Sequence, residues 1–242
     1  MKARSRRKKR KFPRIIVMIP ALALLFYLSN LPLWDIQEIR VNGARLLSAD
    51  EIKKISGVQT GKNLFYFSFA GPRANLKKIS AIEEFHLYRL PPGTVLINLK
   101  ERKPIAVIVA KNSSAIVDNK GFILNHNPNL TLNIPNMTQL PVISGVGPEE
   151  FSSKEQISPK VSHLINAIST QLGSKQIKLE MGGMEKISFL LDDILKVKLG
   201  RNEAIDQKMA VFKKLLPVVQ GKWAGIEYID VRYPDNPVVK YK

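Results

Sequence analysis

Residues 39–65 read IRVNGARLLSADEIKKISGVQTGKNLF, and residues 88–104 read YRLPPGTVLINLKERKP. In the first stretch Ile39 and Val41 alternate with Glu38, Arg40 and Asn42 up to the turn pair Asn42-Gly43, which is the pattern of a strand. Ser48-Ala49-Asp50-Glu51 is a capping-box pattern, in which the hydroxyl accepts from the third helical amide and the glutamate reaches back. It predicts a helix from Ala49 to Ser56 with Ile52 and Ile55 inward and Gly57 ending it. Four aromatics follow, Phe65, Tyr66, Phe67 and Phe69, and are expected in the core; Pro72 then opens a second short helix through Leu76 and Ile79. A strand from Ile82 to Leu90, the turn Pro91-Pro92-Gly93, and a strand in which Val95, Ile97 and Leu99 alternate with Leu96, Asn98 and Lys100 make an antiparallel hairpin. The order from 36 to 101 is strand, helix, helix, strand, strand. It predicts an α+β unit whose three strands form one sheet with both helices on one face.

Upstream lies IIVMIPALALLFYLSNLPLW, Ile15 to Trp34, a run without charge that includes Leu24 and Leu33. At about 1.5 Å per residue a helix of this length matches the hydrocarbon core of a bilayer, so 15–34 is predicted to be a transmembrane helix. Lys2, Arg4, Arg6, Arg7, Lys8, Lys9, Arg10, Lys11 and Arg14 precede it with no acid among them, whereas Asp35 and Glu38 mix with Arg40 and Arg45 after it. That bias keeps a basic tail, 1–14, in the cytoplasm and sends the bulk across. A removable signal would need small residues at a cleavage point, and Ser29, Leu31 and Trp34 do not supply them. A buried helix of a soluble protein would need a polar face, and Ile15 to Leu28 offers only Tyr27.

Downstream of Arg102 the pattern changes, placing a boundary between domains 35–102 and 103–242. IAVIV and AIVDNKGFIL read as short strands with a turn at Asp118 to Gly121, and Asn125 to Asn136 reads as a surface loop before LPVISGV. Ser158-Pro159 caps a helix whose Val161, Leu164, Ile165, Ile168 and Leu172 fall at helical spacing up to Gly173. QIKLEM, KISFLL and ILKVKLG read as strands, and Glu203 to Leu216 as a second helix with Ile205, Met209, Phe212 and Leu216 inward. GIEYIDVRYPDNPVVKYK is a strand, a turn from Pro234 to Pro237, and a final strand. This half is expected to be a mixed antiparallel β domain with two helices. A last strand of this kind tends to lie at a sheet edge, where its unpaired backbone can template another strand.

The net charge is +18, but nine of the basic residues lie in the first fourteen, leaving 29 basic against 20 acidic side chains beyond them. The basic tail therefore sets topology and meets anionic headgroups, and no nucleic-acid partner is expected. With no cysteine there is neither a disulfide nor a thiolate. Asn112, Asn129 and Asn136 begin N-x-S/T tripeptides, which matter only in a eukaryotic secretory pathway. His86, His126 and His163 carry no metal-ligand spacing, Gly57 to Asn63 lacks the hydroxyl residue of a phosphate loop, Asp192-Asp193 reads as a turn, and no G-x-S-x-G is present. No catalytic residue, metal, cofactor or small-molecule substrate is expected.

The ERKP-A ending, GKNLF and the strand order make residues 35–102 resemble a POTRA domain of the kind that follows a signal anchor in the bacterial division proteins FtsQ and DivIB. DNKGFIL, LPVISGV, VKLGR and YIDVRYPDN with its terminal strand extend the resemblance over nearly the whole chain, which departs from the family's pattern at Pro237 and in ending at Lys242. The resemblance implies a bitopic, non-enzymatic scaffold of the divisome in the cytoplasmic membrane at the septum, helping to regulate septal peptidoglycan synthesis. It implies as partners FtsB or DivIC bound to FtsL, among other divisome membrane proteins. By position in the motifs, the binding surface would comprise Arg201, Arg232, Tyr233, Asp235, Val238, Val239, Lys240 and Tyr241. The alternatives are an extracytoplasmic cell-wall hydrolase or wall-binding enzyme, and a POTRA-bearing transport or outer-membrane assembly factor.

Overall fold

The computed structural model describes residues 12–110, 113–127, 129–153, 155–173 and 176–242, with the side chains of the first helix described from Met18 onward. Asn112 and nearly all of the basic tail lie outside the described residues. The first helix, α1, runs Phe12–Ser29, so it begins before Ile15 and stops short of Leu33 and Trp34. It ends because Leu31 precedes Pro32, which holds Leu31 extended at φ −64° and ψ 142° and opens a single 3-10 turn, Pro32–Trp34. Among the described residues no helix is long and apolar enough to cross a membrane. Leu24 and its neighbours Met18, Ile19, Leu22, Leu25, Phe26 and Tyr27 are all more than half exposed.

The first sheet contains β1 (Glu38–Asn42), β2 (Ile82–Leu90) and β3 (Thr94–Glu101) in the order β1-β3-β2. β1 runs parallel to β3, and β2 antiparallel to it. Two helices, α2 (Ala49–Ser56) and α3 (Ala70–Lys77), pack with Val95, Ile97 and Leu99 through Ile52 and Leu76. The capping box of α2 forms in both directions, with Ser48 Oγ accepting from Glu51 N and Ser48 N donating to Glu51 Oε2, and Gly57 closes the helix in the left-handed region. Glu101 accepts the backbone N–H groups of Arg45, Leu46 and Leu47 at 2.7, 2.6 and 3.1 Å, which ties the end of β3 to the segment before α2. Gly43, at φ 90°, is required where a Cβ would stand 1.9 Å from the carbonyl oxygen of Leu99. The aromatic cluster is only partly core: Phe69 is 5% exposed, but Phe65 and Tyr66 are 46% and 59% exposed.

The second sheet has eight strands in the order β13-β12-β11-β10-β9-β6-β4-β5. Along the chain these are β4 (Pro104–Ala110), β5 (Ser113–Asp118), β6 (Val142–Ser144), β9 (Ile177–Met181), β10 (Ile187–Leu191), β11 (Leu195–Gly200), β12 (Ile226–Asp230) and β13 (Val238–Tyr241). A small hairpin, β7 (Phe151–Ser153) and β8 (Gln156–Ile157), stands apart and has no counterpart in the sequence pattern. The sheet is mixed: β4-β6, β6-β9 and β11-β12 are parallel, while β4-β5, β9-β10, β10-β11 and β12-β13 are antiparallel. Alternate residues of β9, β10 and β11 are buried with two helices, α4 (Pro159–Leu172) and α5 (Ile205–Val219), in one core where Phe189 meets Phe212 edge-on at 5.4 Å. Asp192 and Asp193, at φ 49° and 57°, lie in the three-residue connection between β10 and β11, where Ile194 N donates to Leu191 O at 3.1 Å and closes the turn.

Period-two alternation lets the β4-β5 pair serve two cores. Ala106, Ile108 and Val117 belong to the core beneath α4 and α5, whereas Val107 and Ile116 join Leu124 in the core of the first sheet. The stretch read as a surface loop is in part a strap over that core: Leu130, Leu132 and Ile134 pack on it, with Leu140 just beyond, and Asn133 N donates to Leu46 O at 2.7 Å. The first sheet thus sits against the β4-β5 end of the large sheet. β13 lies at the other end, seven strand spacings or roughly 34 Å away.

Candidate functional site

The carboxyl edge is built from β12, β13, the turn between them, and the corner joining β11 to α5. β13 pairs with β12 in the register Asp230↔Val238, Ile229↔Val239 and Tyr228↔Lys240, and among the described residues it has no strand on its other side. Lys242 N donates to Gly225 O at 3.0 Å. Alternation along the strand then turns the N–H groups of Val239 and Tyr241 away from β12, toward open space. Val239 packs its side chain on the core, while Val238 and Tyr241 are 50% and 58% exposed. Pro237 precedes the first paired residue, so the ladder loses no donor to it.

Asp230 organises the turn. Its carboxylate accepts from Arg232 N at 3.0 Å and from Arg232 Nε at 3.0 and 2.9 Å, and pairs with Arg232 Nη2 at 2.7 Å. Burial works to raise the carboxyl pKa, but the Arg232 hydrogen bonds and charge, with Lys198 beyond, outweigh it and hold Asp230 below the ordinary carboxylate value. Asn236 N donates to Tyr233 O at 3.1 Å, closing a turn around Pro234 and Asp235 that leaves Tyr233 73% exposed.

Arg201 reaches the same place from another element. Gly200 at the end of β11 has φ 69°, and a Cβ there would lie 2.9 Å from Arg232 Cγ, so the glycine of VKLGR allows the β11 corner to approach the β12 turn. Arg201, Arg232, Tyr233 and Pro234 line one open cleft of about 480 Å³ with Glu185, Glu203 and Lys208. Sequence reasoning did not single out Lys208. It is 4% exposed, and its Nζ donates to Leu199 O at 2.9 Å and Arg201 O at 2.8 Å, so it holds the backbone that carries Arg201. Burial lowers its pKa, with the charge of Glu203 acting the other way. A lysine at an otherwise inward position of α5, flanked by Ile205, Met209 and Phe212, was the available signal.

On the sheet face beside the cleft, Lys198 Nζ stands 3.3 Å and Lys240 Nζ 5.5 Å from the centre of the Tyr228 ring, and Lys240 pairs with Glu227 at 2.8 Å. This edge therefore offers backbone donors, apolar side chains and cations to a polypeptide. His86 pairs with Glu84 and His163 with Asp206, each at 3.2 Å, and among the described residues no group of three His, Cys, Asp or Glu side chains could hold a metal. The Gly57 to Asn63 stretch is occupied by backbone pairing, with Gly61 N donating to Ile36 O and Lys62 O accepting from Ile36 N, both at 2.8 Å.

The three-stranded sheet with its two helices, joined to an eight-stranded mixed sheet, defines the class as a two-part α+β protein. Residues 35–102 match the POTRA domain of FtsQ type, and residues 106–232 match the C-terminal region of cell division protein FtsQ/DivIB. The chain belongs to the FtsQ/DivIB family of cell division proteins. It is similar to cell division protein DivIB of Clostridium tetani, with 25% identity over 236 residues covering 94% of this chain and 86% of that one. DivIB of Clostridium botulinum is 23% identical over 238 residues, covering 96% and 93%. FtsQ of a Geobacter species is 25% identical over 225 residues, covering 88% and 78%. Among solved structures, the major extracytoplasmic domain of DivIB from Geobacillus stearothermophilus is 14% identical with a TM-score of 0.31, covering 50% of this chain and 92% of that chain.

Proposed function

We propose that this cell-division protein is a single-pass, non-enzymatic scaffold of the divisome, anchored in the cytoplasmic membrane at the septum, whose carboxyl edge strand receives a strand from an FtsB- or DivIC-like partner bound to FtsL. Through that complex it helps to regulate septal wall synthesis. The observation that carries the reading is the open edge of β13 beside a cleft that brings Arg201 and Tyr233 together from distant parts of the chain. The anchor rests on the uncharged run Ile15 to Trp34 behind its basic tail, and the exposed apolar surface of α1 supports it. The domains are the tail 1–14, the anchor 15–34, the POTRA unit 35–102 and the β domain 103–242.

Strand addition draws affinity from main-chain hydrogen bonds and register from side chains. Val239→Pro removes an outward donor and is expected to abolish capture of the partner, while Arg201→Glu weakens capture in a salt-dependent way. Circular dichroism checks that both variants fold. Folded variants that capture the partner like the parent place the interface elsewhere. Conditional depletion is expected to give filaments without septa. Wall lesions without filaments would indicate an enzyme, and loss of outer-membrane proteins an assembly factor.

A further inference from the structure

We infer that the segment 63–66 is a collar that locks the POTRA unit onto the outer end of α1 and seats Phe65 and Tyr66, with Trp34, in the headgroup region of a phospholipid bilayer. The inference rests on the reading of α1 as the membrane anchor.

The last carbonyls of a helix have no partner within it, and at a membrane exit water is a poor substitute. Here each finds a donor in this chain. Phe26 O accepts from Asn30 Nδ2 at 2.7 Å and Ser29 Oγ at 2.9 Å, and Tyr27 O from Asn30 N at 3.1 Å. Leu28 O accepts from the Trp34 indole at 2.6 Å, and Ser29 O from Asn63 Nδ2 at 2.7 Å. Tyr66 Oη and Ser29 Oγ add a bond of 2.7 Å. The connection to β1 has no slack either, because Leu64 N donates to Trp34 O and Ile36 N to Lys62 O, both at 2.8 Å.

The collar is held equally firmly from the domain side. Asn63 Oδ1 accepts from Phe65 N at 3.0 Å, Arg89 donates to Leu64 O and Phe67 O at 2.7 Å each, and Leu64 is fully buried. Phe65 meets Trp34 edge-on at 5.1 Å, yet it remains 46% exposed and Tyr66 59%, with Leu33 beside them at 44%. A rigid loop that presents aromatic rings outward, continuous with an apolar helix, has the composition of the aromatic belt at a membrane interface. Exposed Lys62 adds a cation suited to anionic headgroups. The occupant of this surface is therefore lipid.

Because the chain has no cysteine, Phe65→Cys and Leu24→Cys can each carry the environment-sensitive fluorophore NBD in the full chain reconstituted in phosphatidylglycerol-containing vesicles. Lipids spin-labelled at the carbonyl level should quench the Phe65 probe about twofold, and lipids labelled near the chain ends should quench the Leu24 probe more strongly. Quenching at Leu24 alone overturns the inference and leaves the anchor standing. No quenching at Leu24 overturns the anchor, and the inference falls with it. Asn63→Asp keeps an acceptor for the N–H groups of Phe65 and Tyr66 but loses the donor to Ser29 O. In that variant, checked for folding by circular dichroism, quenching at Phe65 should fall while quenching at Leu24 holds; an unchanged Phe65 signal overturns the collar.

Discussion

Arg102 Nη1 and Asp118 Oδ2 meet at 2.9 Å, with side chains 13% and 3% exposed, across the joint between the POTRA sheet and the large sheet. The pair is satisfied on both sides. Arg102 Nε donates to Ser80 O at 3.0 Å and its guanidinium lies 3.8 Å over the Phe122 ring, while Asp118 Oδ1 accepts from Lys120 N at 2.9 Å and Phe122 N at 2.7 Å. Removing one partner leaves a buried charge uncompensated, so Arg102→Met is expected to cost about 3–5 kcal/mol in denaturant unfolding. Adding Asp118→Asn to that variant should restore part of the loss. A double variant no more stable than Arg102→Met would show that the charge itself is not the cost.

The two halves should unfold together. Leu124, 1% exposed, comes from the β domain but lies in the core with Ile52, Leu64 and Leu76. Leu124→Ala is expected to lower stability by about 2–5 kcal/mol and to lower the melting of both halves alike. Correspondingly, a fragment of residues 35–102 should lack a cooperative thermal transition, since Val107, Ile116 and Leu124 are missing from its core. A sharp transition in that fragment at the temperature of the intact protein would refute the shared core.

Glu83 supplies an acid-sensitive tie across the same joint. Hydrogen bonds from Lys120, then Lys100, hold its carboxyl down to about 2 from the ordinary 4.5, with contacts of 2.6 and 2.9 Å. A carboxyl whose folded pKa is depressed contributes stability above its unfolded value and loses it as pH falls toward the folded one. The difference in stability between the parent and Glu83→Gln should therefore be full above about pH 4.5 and vanish near pH 2. Added salt should shrink it, because both lysines are exposed. A difference that persists unchanged at pH 2 would assign the effect to something other than this carboxylate.

Lys208→Met is the test of how Arg201 is positioned. The substitution keeps the stem but leaves Leu199 O and Arg201 O without their donor, at a cost of about 1–3 kcal/mol. If the corner carries the binding arginine, partner capture should weaken in the folded variant although Lys208 itself is 4% exposed. Undiminished capture would separate the corner from the site.

Local rules made a large part of this protein legible. The capping box at Ser48, the cap at Ser158, the alternation of Val95, Ile97 and Leu99 and the Asp192-Asp193 turn each depend on residues a few positions apart, and each appears where the pattern places it. The placing of Arg201 beside Tyr233 was implied only by family motifs, because the two stand on separate elements and meet through Gly200 and Arg232. Burial of aromatics was misread where tertiary context overrides composition: Phe65 and Tyr66 are held outward by Asn63, whose partner is at the end of α1. The loop at 125–136 misled for the converse reason, since its Leu130, Leu132 and Ile134 find a surface that exists only once the POTRA helices have packed.

What the sequence by itself determined is therefore most of the elements, the β7-β8 hairpin excepted, with the caps at Ser48 and Ser158, the apolar run with its basic flank, and the family, since periodicity and capping act over a few residues. Only the tertiary structure decided that β4 and β5 divide their two faces between two cores, that Arg102 and Asp118 close the joint, and that Lys208 holds the Arg201 corner. Those outcomes depend on which surfaces meet after the elements form, and burial makes them visible only when groups far apart in the chain lose water together.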